Sequence, residues 1–316
     1  MRRNVTAILF AIIATGAVAQ ESTNAGIGAN MRFAADSAAG FHWPYYLYVS
    51  PPALSGDPTI TLLVEPNNTG TGNDSFIVHD SAAATLLSRD MWLADRLGGA
   101  LLVPVFPRPY TNWQLYVQAL DRDILATDDS LLVRIDLQLL AMIDHAREFL
   151  KLMGHDSDSG VFLFGFSASG QFADRFMTLH PSRVKAAAIG SPGGWPIAPL
   201  DTWDGKQLPY PVGIADIREL TGQPFDRASY RQTPVFLFLG DRDTNDAVMF
   251  EDAFSSADRE LVLSLFGESP VARWPAVAAV RDSGGCACEL RLYENVGHTI
   301  TPAMWEDIAD FFERHR

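Results

Sequence analysis

Uninterrupted apolar runs recur along the chain from residue 45: YYLYVS at 45–50, TITLLVE at 59–65, ALLVPVF at 100–106, VFLFGFS at 161–167, KAAAIGS at 185–191, VFLFLGD at 235–241 and LRLYENV at 290–296. Most end in Gly, Pro, Asn or Ser, which marks them as strands closed by turns. VFLFG and VFLFLG show no polar alternation, the signature of strands covered on both faces. Helical periods lie between several of the runs. The clearest is SLLVRIDLQLLAMIDHAREFLKLMG at 130–154, with Asp128, Asp129 or Ser130 available to cap its start and Gly154 to end it. Alternating strands and helices predict an α/β fold with a mostly parallel central sheet flanked by helices.

No repeat or long low-complexity linker divides the chain, so one domain is expected over residues 41–316. Residues 20–40, rich in Ala, Gly, Asn and Ser without a sustained period, read as a flexible N-terminal arm. The proline-rich stretch from Pro196 to Thr233 is longer than an ordinary connection and reads as a partial cap or an insertion over one sheet face.

The first 19 residues change the compartment. Arg2 and Arg3 precede an apolar run from Val5 to Ala14, followed by Ala17-Val18-Ala19, the small-x-small pattern of a signal-peptidase site. The run is shorter than the ~20 residues that span a bilayer, and no later segment is apolar enough to do so. A secreted or periplasmic chain without stable membrane insertion follows. With 38 Asp and Glu against 24 Lys and Arg, the protein is strongly acidic, which disfavours nucleic acid as a partner and admits a neutral substrate more readily. Cys286 and Cys288, the only cysteines, form a C-x-C pair that is no metal or redox signature without further ligands. The two readings of the pair, bridged or reduced, remain open.

Candidate chemistry centres on GVFLFGFSASGQF at 160–172. An apolar strand stops at Gly165, turns through Phe166, Ser167 and Ala168, and continues as a helix, the layout of a nucleophile elbow. The turn lifts the Ser167 hydroxyl out of the sheet, and the following helix offers its N-terminal amides to developing negative charge. The pattern departs from G-x-S-x-G: Ser169 replaces the second Gly, and Gly170 comes one residue late. In the competing reading, Ser167 merely caps that helix.

A serine nucleophile needs a base, and an acid to orient the base. His298 follows the run LRLYENV and precedes a helical pattern, so its imidazole is expected at a strand end beside Ser167. The acid is expected in GDRDTND, where Asp241, Asp243 and Asp246 are candidates. Asp243 is preferred because a turn after Gly240 carries it back over the sheet edge, and Asp246 is expected to cap the next helix.

GFSASGQF, GDRDTND and VGHTITPAMWEDI make the sequence resemble the α/β-hydrolase family over nearly the whole chain after the signal, most of all its secreted bacterial serine esterases and polyester-depolymerase-like members. The resemblance implies no metal or organic cofactor. It also implies an oxyanion hole from the amide of Ala168 and a second amide in LLVEPNNTG, assigned to Asn68 with Thr69 next. Substrate walls are expected from the loops on the same sheet edge, with Trp113 and Trp195 as candidates.

Together these readings predict a serine carboxylic-ester hydrolase working through an acyl-enzyme on a small or polymeric neutral ester. A serine peptidase or amidase on the same fold is the first alternative. A binding protein that keeps the fold without catalysis is the second.

Overall fold

The computed structural model describes residues 28–56, 59–67 and 72–316. The segment read as a signal lies outside the described residues. Eight strands form the main sheet: β1 (Ala29–Phe33), β2 (Tyr45–Val49), β3 (Leu62–Val64), β4 (Ala100–Pro104), β5 (Val161–Phe166), β6 (Val184–Gly190), β7 (Pro234–Gly240) and β8 (Ala287–Tyr293). Their spatial order is β1-β2-β4-β3-β5-β6-β7-β8. β2 runs antiparallel to both β1 and β4, and every pairing from β4 to β8 is parallel. The longer helices are α1 (Phe76–Leu97), α2 (Ile135–Leu152), α3 (Ala168–Leu179), α4 (Ser256–Phe266), α5 (Pro270–Gly284) and α6 (Pro302–Arg314).

The apolar runs explain the layering. Successive side chains of a strand point to opposite faces, so an unbroken apolar strand builds two cores at once. On one face Leu63, Leu101, Val103, Phe162, Phe164, Phe236 and Phe238 pack with Leu87 and Leu93 of α1 and with Ile308, Phe311 and Phe312 of α6. On the other, Leu62, Val64, Leu102, Leu163, Ile189, Val235 and Leu237 pack with α2, α3 and α5 through residues such as Leu139, Phe172 and Val277.

Two expectations differ from the structure. The arm assigned to residues 20–40 contributes β1, whose Phe33 stacks on Tyr45 at 4.9 Å between ring centroids. Its polar composition hid a five-residue edge strand that needs only one covered face. Helix α2 begins at Ile135 rather than near Ser130, because Asp129 accepts the Leu131 N–H in a separate turn and Arg134 takes a left-handed conformation with φ 48°. The stretch 196–233, read as a partial cap or an insertion, is an insertion packed on one sheet face, where Ile197, Leu208, Tyr210, Val212 and Tyr230 are buried.

Cys286 and Cys288 are joined as a disulfide at the start of β8, with Cα atoms 5.2 Å apart. Among the described residues no helix is long and apolar enough to cross a membrane.

Candidate active site

The carboxyl ends of β5, β6, β7 and β8 bring the site residues to one rim. Ser167 stands between β5 and α3 with φ 63° and ψ −123°, a conformation that costs a non-glycine residue about 1–3 kcal/mol. Its hydroxyl makes no capping bond to α3. Instead Ser167 Oγ lies 2.8 Å from His298 Nε2.

The turn is closed in an unusual way. A Cβ on Gly165 would come within 2.2 Å of the Ser169 carbonyl oxygen, so strand and helix approach too closely for any side chain there. Ser169 is buried, and its hydroxyl accepts from the Phe166 N–H at 3.0 Å and donates to the Phe166 carbonyl at 2.9 Å. Gly170 serves a different contact: a Cβ there would meet the Gly190 carbonyl of β6 at 2.4 Å. The late glycine therefore lets α3 lie against β6, while a small hydroxyl residue clamps the elbow.

His298 lies in the loop after β8, and its ring packs against Phe166 with centroids 4.9 Å apart. Asp241 N donates to Tyr293 O and Arg242 N to Val296 O, each at 2.9 Å, which extends the β7–β8 pairing and carries the Asp243 turn alongside the His298 loop. His298 Nδ1 lies 2.9 Å from Asp243 Oδ2 and 3.1 Å from Oδ1. Asp243 also accepts from the Ser191 hydroxyl at 2.7 Å and the Asn245 N–H at 2.9 Å. Burial alone would raise its pKa, but the hydrogen bonds from His298, Ser191 and the Asn245 backbone outweigh it and hold the carboxyl below the ordinary aspartate value.

The rival acids have other partners. Asp246 accepts from Val248 N at 3.2 Å as the cap of a short helical turn and pairs with the buried Arg273 at 2.8 Å. Asp241 is the first residue of the turn that Asp243 N closes on Gly240 O at 3.1 Å. Two other histidines hold the fold: His145 bonds to Tyr45 Oη at 2.6 Å and His180 to Asp136 at 2.8 Å.

Beside Ser167 lies a cavity of about 310 Å³. Ala168, whose first-turn amide has no intrahelical acceptor, lines it together with Gln171, Tyr116 and Phe250. Arg108 closes one side, bonded to Asp252 at 2.8 Å and lying 3.7 Å over the Tyr116 ring. Asn68 and Thr69 lie outside the described residues. Their neighbour Asn67 is buried and its side-chain amide pairs with both the N–H and the carbonyl of Phe106 at 2.9 Å, which ties the loop after β3 to the chain beyond β4.

Trp195 does not reach the cavity: it is 1% exposed, stacks on Phe266 at 3.9 Å and donates from Nε1 to the Val212 carbonyl. GSPGGW turns inward after Gly193, so the large ring went to the core and the small residues Ser191 and Gly193 line the cavity. Trp113 is 46% exposed and is not among the residues lining that cavity. None of residues 195–233 lines it either.

Sequence reasoning missed Ser191, Asn245 and Arg108. A polar residue just past a strand end was the available signal for the first two. Arg108 gives no such signal in FPRPY. Among the described residues, no group of three or more His, Cys, Asp or Glu side chains is placed to hold a metal ion.

No protein-family model matches the chain, and no curated protein does. Solved structures do. A poly(aspartic acid) hydrolase-1 from Sphingomonas sp. KT-1 aligns with TM-score 0.56 and 17% identity over 91% of this chain and 97% of its own. A poly(3-hydroxybutyrate) depolymerase from Bordetella parapertussis aligns with TM-score 0.56 and 18% identity over 92% and 91%. An S-formylglutathione hydrolase from Agrobacterium tumefaciens gives 0.51 and 16% over 95% and 98%. With its mostly parallel eight-stranded sheet, the strand-turn-helix at Ser167 and these likenesses, the chain has the α/β-hydrolase fold.

Proposed function

We propose that the protein is a serine hydrolase that cleaves carboxylic esters through an acyl-enzyme, with Ser167 as nucleophile, His298 as general base and acid, and Asp243 as the orienting acid. The observation that carries this reading is one continuous hydrogen-bonded line, from Ser167 Oγ through both ring nitrogens of His298 to Asp243. As Ser167 Oγ bonds to the ester carbon, its proton passes to Nε2. The resulting imidazolium is stabilised by the ionised Asp243, and Nε2 then protonates the ester's alkoxide oxygen as its bond to the acyl carbon breaks, which releases the alcohol and leaves the acyl group on Oγ. The oxyanion is received by the Ala168 amide at the N-terminus of α3 and a second amide from the loop after β3, for which Asn68 is the candidate.

A small ester, or the end of a polymeric one, suits a cavity of about 310 Å³ whose charged wall is the Arg108–Asp252 ion pair. The depolymerase likeness is consistent with a polymer but supports only the fold. Export through the N-terminal segment is supported by the Cys286–Cys288 disulfide, a bond that persists in oxidising compartments.

A panel of p-nitrophenyl esters tests the assignment. Wild-type turnover should fall by roughly 10⁴–10⁶ in Ser167→Ala. Undiminished turnover in that variant would remove the nucleophile, and cleavage of a matched amide in preference to the ester would reassign the bond.

A further inference from the structure

His298 with its proton on Nδ1, toward Asp243, offers one lone pair, at Nε2. Two groups stand 2.8 Å from that nitrogen: Ser167 Oγ and the side-chain amide nitrogen of Asn245. A single lone pair serves one donor at full strength, so the hydroxyl and the amide compete for it. Asn245 is exposed and lines the cavity. Its backbone N–H is bonded to Asp243 Oδ1 at 2.9 Å. The backbone position is therefore pinned to the acid, and only the side chain is left to swing.

The place Asn245 occupies has chemical meaning. Any oxygen that exchanges a proton with Nε2, other than Ser167 Oγ itself, must reach this same nitrogen from the cavity. Two such oxygens appear in an acyl transfer: the leaving alcohol and the incoming water. In the acyl-enzyme, Ser167 Oγ is an ester oxygen without a proton, so it no longer donates to Nε2. The lone pair becomes available to water. An asparagine turned aside by its side-chain torsions keeps both a donor and an acceptor within a few ångströms of that water.

We infer that Asn245 is a positioning residue for deacylation, which in the free enzyme fills the second contact at His298 Nε2 and in the acyl-enzyme holds the hydrolytic water there. The inference rests on the triad reading above. In the step it serves, the water oxygen bonds to the acyl carbon while its proton passes to Nε2. The tetrahedral intermediate then collapses, the acyl carbon–Oγ bond breaks, and Nε2 returns the proton to Oγ as the carboxylic acid leaves.

Stopped-flow hydrolysis of p-nitrophenyl acetate separates this step from acylation, because p-nitrophenolate leaves without needing a proton and deacylation then limits turnover. In Asn245→Ala, kcat should fall by about tenfold, the worth of one hydrogen bond, and KM with it, while kcat/KM and the rate of the initial burst do not fall, because the amide that competes with Ser167 Oγ is gone. Asn245→Ser, which keeps a donor and an acceptor on a shorter arm, should recover part of the lost kcat. The burst amplitude counts folded, acylatable sites in each variant. A kcat/KM that falls in parallel with kcat, or an unchanged kcat, would overturn the role of Asn245 and leave the triad standing. A wild-type protein without any Ser167-dependent burst would overturn both.

Discussion

The hydroxyl of Ser169 bonds to both backbone groups of Phe166, taking its N–H at 3.0 Å and giving its proton to the carbonyl at 2.9 Å. β3 pairs with β5 as far as Leu163, and the Ser169 bonds hold the chain just beyond that point. Ser169→Ala removes both bonds beside a buried turn and should lower stability by about 1–3 kcal/mol. Urea unfolding of the two proteins checks this, and equal midpoints would deny the clamp.

Ser167 holds a backbone conformation that glycine adopts freely. Ser167→Gly and Ser167→Ala should both be inactive, yet the glycine variant should be the more stable by about 1 kcal/mol, because only it relieves the strain. Thermal melts at one pH distinguish them.

Asp243 is held below the ordinary aspartate value by three donors acting against burial. A carboxyl with a lowered folded pKa stabilises the fold above its unfolded pKa of about 4, and that contribution fades as pH falls through the folded value. Ser191→Ala removes one donor. It should cost about tenfold in kcat/KM, and its stability deficit against wild type should shrink as pH drops below about 4. A deficit independent of pH would place the Ser191 bond outside the acid's titration.

Asp121 titrates in the opposite sense. It caps the short helix Arg122–Ala126, and burial, opposed by the charge of Arg175 and by the capping bonds, pushes its pKa up to about 7. Its stabilising protonated form is complete below about pH 4 and is lost as pH rises toward 7, a span worth at most about 4 kcal/mol. Asp121→Asn keeps a capping acceptor without the titration. The variant should gain stability relative to wild type between pH 5 and pH 8, measured by urea midpoints. A constant difference would contradict the burial effect.

The architecture was legible because the strands are buried on both faces. VFLFG and VFLFLG carry their own signal, and a run such as KAAAIGS, bounded by a charge and a Gly-Ser turn, needs no long-range information. β1 was not legible: ANMRF covers one face only, and its place depends on Phe33 finding Tyr45. At the site, Ser167, Asp243 and His298 each follow an apolar run, so each stands where a strand end must leave it. Trp195 failed for a complementary reason. The path of GSPGGW after Gly193 depends on Phe266 and Val212, residues far along the chain that no local pattern connects to it. Arg108 and Asp252 meet across 144 positions, and Asn245 acquires its meaning only from the 2.8 Å approach to a ring contributed by a different loop.

Mass spectrometry after treatment with a fluorophosphonate tests most directly whether the Ser167 hydroxyl is activated. The wild-type protein should gain one phosphonyl adduct, mapped to the peptide containing Ser167, and Ser167→Ala and His298→Ala should gain none at the same exposure. A folded wild-type protein that stays unmodified, or an adduct that persists on another residue in Ser167→Ala, would contradict the account.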